Sequence, residues 1–245
     1  MIISQKHKLC FLHNPKVAGT SIRTLLKEYH DYPVNFWRLG ILKERGRTYN
    51  LPHLPYDDLP ESIKNTIEDH FAFGFVRDPL SRFKSSYREF YDIFKDSWNI
   101  ASLDVNDFVK FMLTPMNLRF DWRFSHFCPQ HYFFYSGDEL QADFIGKYES
   151  LKEDLLKVQE LVGFDFGAQN VPAMNTKDEE SDLNLSLDSL ATLQKVYKKD
   201  FELFGYEWIV RPDVVPVEGY ESWEDGIPVL SFDSGTPVLE QRTSK

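Results

Sequence analysis

The stretch KLCFLHNPKVAGTSIRTLLKEYH, residues 8–30, decides the fold. Leu9, Cys10, Phe11 and Leu12 are consecutively apolar, as in a short parallel strand covered on both faces. Asn14-Pro15 marks a turn, and Ile22, Leu25, Leu26 and Tyr29 then recur at the spacing of a buried helix face. The unit reads as strand, tight loop, helix.

A second unit repeats the design. Phe71 to Val76 (FAFGFV) is strand-like, Asp78-Pro79 supplies an N-cap and a first-turn proline, and Leu80, Phe83, Tyr87, Phe90 and Phe94 mark a helix face. Working outward, a Pro-rich loop at Leu51 to Pro55 leads into a helix near Leu59 to Asp69. Asp104 caps a helix running to Leu113. His131 to Tyr135 and Phe144 to Tyr148 read as strands. Ser150 and Glu153 form a capping box for a helix that stops at Gly163, and a last helix spans about Ser186 to Phe204. Strands alternating with helices predict an α/β fold, a central parallel sheet flanked by helices.

Composition bounds the function. The chain has 245 residues, 42% hydrophobic and 16% aromatic, enough for a substantial core in one large domain or two small ones. With 28 Lys and Arg against 38 Asp and Glu, the net charge is −10, which excludes nucleic-acid binding through the overall field. Two cysteines, Cys10 and Cys128, are too few for a disulfide scaffold or a Cys-rich zinc site. The polar stretch Ser4 to Lys8 leaves no apolar run for a signal peptide or membrane span. Residues 213–245 carry seven acidic and two basic side chains with Pro216, Pro228 and Pro237, and read as an irregular acidic tail.

Ligands of such a sheet sit beyond the carboxyl ends of its strands. In the first loop, Gly19 lets backbone approach a ligand, Thr20 and Ser21 offer hydroxyls beside free helix N–H groups, and Lys16 adds charge: a phosphate or sulfate cradle. It is not a Walker A loop, because Lys16 precedes the glycine. The plain alternative is a strand-to-helix turn whose Ser and Thr cap the helix. In the second loop, Arg77 at the strand end and Ser85 two helical turns on can hold one phosphate between them, with Arg82 and Lys84 adding local charge. The alternative there is a solvated amphipathic helix.

Together, HNPKVAGTSI and FVRDPLSRFKSSY closely resemble the two nucleotide motifs of the PAPS-dependent sulfotransferases, in the branch of carbohydrate O-sulfotransferases. The likeness extends through FIGKYESLKEDL to Tyr206. The resemblance implies a P-loop-NTPase-like single domain over residues 1–212. It also implies 3′-phosphoadenosine 5′-phosphosulfate (PAPS, product PAP) as donor; the sulfonate carries less charge than a triphosphate and the seven histidines show no metal-ligand spacing, so no metal is expected. Lys16, Ala18, Gly19, Thr20 and Ser21 would hold the 5′-phosphosulfate, Arg77 and Ser85 the 3′-phosphate, and Lys177, in Asn175-Thr176-Lys177, would lie near the adenosine.

The acceptor hydroxyl must lose a proton, and a histidine suits that task. His53, between the two loops in sequence, is the candidate base, with Lys16 offsetting charge on the leaving phosphate. His126 competes with it, and His13 reads as structural. The acceptor is a carbohydrate or small metabolite. Arg38, Lys43, Arg45 and Arg47 can meet an anionic sugar, although a charge run is usually a solvated face. The Golgi members of the family carry a membrane anchor, whereas here the first strand begins within ten residues of Met1, so a cytoplasmic enzyme is expected. A non-catalytic nucleotide-binding protein and, with less support, an ATP-dependent kinase remain the alternatives.

Overall fold

The computed structural model describes residues 1–33, 36, 39–42, 47–96, 103–171 and 183–209. In chain order the elements are β1 (Ile2–Ser4), β2 (Leu9–Phe11), α1 (Gly19–Leu26), β3 (Leu39–Leu42), β4 (Arg47–Asn50), α2 (Glu61–Ile67), β5 (Phe71–Val76) and α3 (Pro79–Phe94). They continue with α4 (Val105–Met112), α5 (Pro115–Phe120), β6 (Tyr135–Ser136), β7 (Glu139–Leu140), β8 (Phe144–Lys147), α6 (Leu151–Val162), α7 (Leu187–Val196) and α8 (Lys198–Phe204).

Among the described residues the central sheet has the order β1-β2-β5-β8. β2, β5 and β8 run parallel, and β1 pairs antiparallel to β2 with Ile2 opposite Phe11. Period-two alternation divides the sheet's side chains between two cores. Ile2, Leu9, Phe11, Phe73 and Phe75 pack with Ile22 and Leu26 of α1 and with Leu151, Leu155 and Val158 of α6. Ile3, Cys10, Leu12, Ala72 and Val76 pack on the other face with Ile63 and Ile67 of α2 and with Phe204. Each fully buried phenylalanine contributes roughly 1.5–3 kcal/mol of transfer free energy, so Phe11, Phe73 and Phe75 alone fasten β2 to β5 firmly. A third core joins α3 to α4, α7 and α8 through Phe83, Phe90, Phe108, Leu193 and Phe201. No helix among the described residues is long and apolar enough to cross a membrane.

The α/β reading and the strand–loop–helix units hold. Asp78 caps α3 by accepting from Ser81 N at 2.8 Å, Pro79 opens that helix, and Gly163 closes α6 in the left-handed region. Several expectations change. No strand is expected ahead of Leu9, yet Ile2–Ser4 form an edge strand antiparallel to β2, with Ser4, the first residue of the polar stretch, inside it. The strand expected at His131 to Tyr135 is a 3-10 turn over Gln130–Phe133 followed by the two-residue β6. There the backbone N–H groups of Gln130 and His131 are taken by the Asp200 carboxylate instead of a neighbouring strand. The last helix is two, α7 and α8, breaking at Tyr197, whose hydroxyl reaches into the core to donate to Phe127 O. Ser150 precedes α6 as expected but makes no capping bond; its hydroxyl donates to Asp154. The tail 213–245 lies outside the described residues.

Candidate functional site

The first loop leaves β2 through His13 and Asn14, both buried. Asn14 Nδ2 donates to Phe75 O and to Gln130 Oε1, each at 2.9 Å, which fixes where the loop starts. Lys16 and Ala18 then adopt φ of +64° and +63°. A non-glycine residue in that region costs about 1–2 kcal/mol, and such residues form the turns that gather N–H groups into anion-binding concavities. Ala18 is the N-cap of α1 and has no side-chain acceptor, so Thr20 and Ser21 lie within the first turn and do not cap it. That removes the capping alternative for the first loop.

Gly19 has a different reason from the one expected. A Cβ there would lie 1.6 Å from His13 Nε2, so the missing side chain makes room for the His13 ring. Gly19→Ala therefore drives a methyl group into a buried imidazole. The expected result is a loss of about 1–3 kcal/mol, the usual cost of overpacking, read as a lowered melting temperature.

The second loop leaves β5 at Arg77, which is only 4% exposed, with its guanidinium 4.2 Å from the centre of the Tyr148 ring. Ser85 is buried on α3, the helix that follows this loop. The solvated-helix alternative fails for Arg82. This side chain is fully buried, donates to His126 O and Cys128 O, and supports the chain rather than adding surface charge.

His53 ends a 3-10 turn over Leu51–His53, with its Nδ1 3.3 Å from His13 O and its ring 4.3 Å from that of His13 and 4.7 Å from that of His126. One cavity of about 350 Å³ is lined by Lys16, Ala18, Gly19, Thr20, Ser21, His53, Arg77 and Ser85, together with His13, His126 and Glu89. The two loops, separate in sequence, thus share one space at the carboxyl ends of β2 and β5. His53 also borders a recess of about 30 Å³ lined by Asn50, Arg119, Trp122 and Ser125, where Arg119 pairs with Asp58 at 2.8 Å. A cavity of about 420 Å³ beside His70 and Lys64 is larger, but it lies at the amino end of β5, away from both loops. Lys177, Arg38, Lys43 and Arg45, and the side chain of Arg47, lie outside the described residues.

Sequence reasoning missed Glu89. It stands one helical turn beyond Ser85 on the same face of α3, and that i+4 spacing was its available signal. Its carboxylate lies 2.7 Å from His126 Nδ1 and 3.4 Å from Lys16 Nζ. His126 first, and Lys16 after it, draw the Glu89 carboxyl down to about 2 against the opposing effect of burial.

His13 and His53 are held well below the ordinary histidine value, mainly by burial and then by neighbouring positive charge: the N-terminus, Arg23 and His126 act on His13, and His13, His126 and the N-terminus act on His53. Both are neutral near pH 7. The unfolded chain takes up these protons near pH 6.5 while the folded chain resists them, so their stability contribution is full above pH 6.5 and is lost below it. The limiting slope is about 1.4 kcal/mol per pH unit for each histidine. Urea titrations at pH 7.5, 6.5 and 5.5 should give midpoints that are highest at pH 7.5 and fall steeply between 6.5 and 5.5. Equal midpoints would show that the two rings take up protons in the folded chain as readily as in the unfolded one.

The donor set suits an anionic ligand: an ammonium, a guanidinium, hydroxyls and the start of a helix surround a space into which Glu89 brings the one carboxylate of its lining. Among the described residues, no group of three or more His, Cys, Asp or Glu is arranged to hold a metal ion. The fold and site define an α/β protein with a cavity rich in hydrogen-bond donors at the carboxyl ends of its parallel strands. The chain belongs to the Sulfotransferase family, whose pattern matches residues 1–207.

It is 25% identical over 256 residues to mouse carbohydrate sulfotransferase 11, a match covering 84% of this chain and 66% of that protein. Zebrafish carbohydrate sulfotransferase 14 is 25% identical over 184 residues, covering 66% of this chain and 48% of the relative. Human carbohydrate sulfotransferase 10 is 23% identical over 251 residues, with 87% and 67% covered. The chain thus spans just under two thirds of the mouse relative's length. No solved structure matches it significantly.

Proposed function

We propose that this chain is a PAPS-dependent O-sulfotransferase acting on a hydroxyl of a carbohydrate or small metabolite. The observation that carries the reading is the convergence of Lys16, Gly19, Thr20 and Ser21 with Arg77 and Ser85 on one cavity. A single phosphate needs one such set of donors; a nucleotide with phosphate groups at both 5′ and 3′ positions uses two. Family membership and the names of the relatives support sulfuryl transfer and a glycan acceptor.

In this reading Lys16 and the start of α1 hold the 5′-phosphosulfate, Arg77 and Ser85 hold the 3′-phosphate, and Lys177 lies near the adenosine. Tyr148, beneath the Arg77 guanidinium, keeps that side chain extended into the cavity. The donor, when bound, supplies an activated sulfuryl group. The protein's part is placement, charge stabilisation and proton removal. His53 is the base: it is neutral and lines both the donor cavity and the small recess. The P-loop-like architecture and the division into residues 1–212 and an acidic appendage belong to the same proposal.

Calorimetry tests the donor. PAP is expected to bind the full chain tightly and ATP with Mg²⁺ not measurably. Sulfate transfer from labelled PAPS is then assayed across a panel of glycans and small alcohols. Preference for ATP-Mg²⁺ would replace the reading with a kinase; PAP binding without transfer to any alcohol would leave a nucleotide-binding protein.

A further inference from the structure

We infer that Gln130, held by Asp200, sets the spacing between the two phosphate-binding loops, and so makes the chain discriminate a doubly phosphorylated adenosine from one lacking the 3′-phosphate. This rests on the donor reading above and names the residues that give the site its specificity.

The ladder between β2 and β5 reaches Leu12 N, which donates to Phe73 O at 2.8 Å. Beyond it, side chains connect residue 14 to residues 75–77. The Gln130 amide, 0% exposed, is the central piece. Its Oε1 accepts from Asn14 Nδ2 and from Arg77 N, both at 2.9 Å, while its Nε2 donates to Arg77 O at 2.8 Å. One planar amide therefore grips the first residues of the Lys16 loop and both backbone polar groups of Arg77. Only a side chain with an acceptor and a donor on one rigid unit can do this; a carboxylate lacks the donor, and a thioether lacks the donor and accepts only weakly.

Gln130 is in turn fixed from outside the sheet. Asp200 on α8, also 0% exposed, accepts from Gln130 N at 2.7 Å and His131 N at 3.0 Å, and its Oδ1 is 2.7 Å from His131 Nδ1. A carboxylate this deep is costly unless its lone pairs are used, and the turn at 130–131 presents donors to it. α8 therefore anchors the turn, the turn anchors the amide, and the amide holds both loops. Gln130 is absent from the lining of the cavity, so it acts as a positioning residue.

The loops must match the separation of two phosphates on one ligand, and a small displacement of either costs the second contact more than the first. The test compares the affinities of PAP and adenosine 5′-monophosphate for the wild-type full chain and for Gln130→Met and Gln130→Glu. The wild type is expected to prefer PAP. Gln130→Met is expected to shrink that preference by about ten-fold or more, chiefly by weakening PAP. Gln130→Glu, which keeps the acceptor and loses the donor to Arg77 O, is expected to fall between, and it carries the test should Gln130→Met not fold. A role in stability alone predicts lower melting temperatures with the PAP-to-monophosphate ratio unchanged, and that result overturns the inference while leaving the donor reading intact. A wild-type chain with no preference for PAP overturns both.

Discussion

Lys16→Ala is expected to lower kcat by about 10²–10³-fold, with a smaller rise in the KM for PAPS. That range is what removal of one preorganised donor from a site of developing negative charge costs. The ammonium is placed for this by a left-handed backbone at φ +64°, on a loop whose first residue is tied to Phe75 and Gln130. Alanine retains a Cβ, so the backbone cost at this position stays about the same and folding is little perturbed. The Lys16–Glu89 pair at 3.4 Å is partly exposed on both sides, and such pairs are worth about 0–1 kcal/mol. The melting temperature should therefore barely move while turnover collapses. Single-turnover assays with saturating PAPS, beside a thermal melt, separate the two effects. Retention of turnover within about three-fold would remove Lys16 from the transition state and leave the first loop a binding element only.

The parts of this site legible in the sequence are those whose cause is local. Leu9 to Leu12 and FAFGFV are apolar runs, Asp78-Pro79 is a cap, and both loops follow directly from strand ends. What stayed hidden depends on partners distant in the chain. Gly19 looks like a residue for approach to a ligand until His13 is seen to occupy its Cβ position. Arg82 reads as surface charge because its buried acceptors, the carbonyls of His126 and Cys128, come from a segment about forty residues later. Gln130 to Phe133 has the aromatic and apolar content of a strand, and only Asp200, some seventy residues on, explains why its N–H groups turn away from the sheet. Glu89 had a readable spacing from Ser85, but its significance appears only when His126 and Lys16 are placed beside it.

His53→Ala should reduce kcat by about 10²–10⁴-fold, the range of a positioned general base, while PAP affinity changes by less than about three-fold. The separation follows from position. Lys16, Arg77 and the start of α1 supply the cationic and backbone donors of the cavity, whereas His53 stands at the partition with the recess lined by Asn50, Trp122 and Ser125. Burial keeps the ring neutral, and with the Nδ1 proton directed at His13 O, 3.3 Å away, Nε2 is left with its lone pair for the acceptor proton. A base held well below 6.5 stays unprotonated as the pH falls through that value. The acid limb of kcat should therefore begin below pH 6.5, not at it. His126→Ala provides the comparison, because His126 is paired with Glu89 and lies in the same cavity. If His126→Ala lowers turnover by about 10²-fold or more while His53→Ala retains near wild-type kcat, the proton goes to His126, with Glu89 orienting it. If His53→Ala weakens PAP binding as much as turnover, His53 belongs to the donor site and is not the base. Loss of turnover with the nucleotide still bound, together with loss of the acid limb, is the pattern expected of the group that takes the acceptor proton.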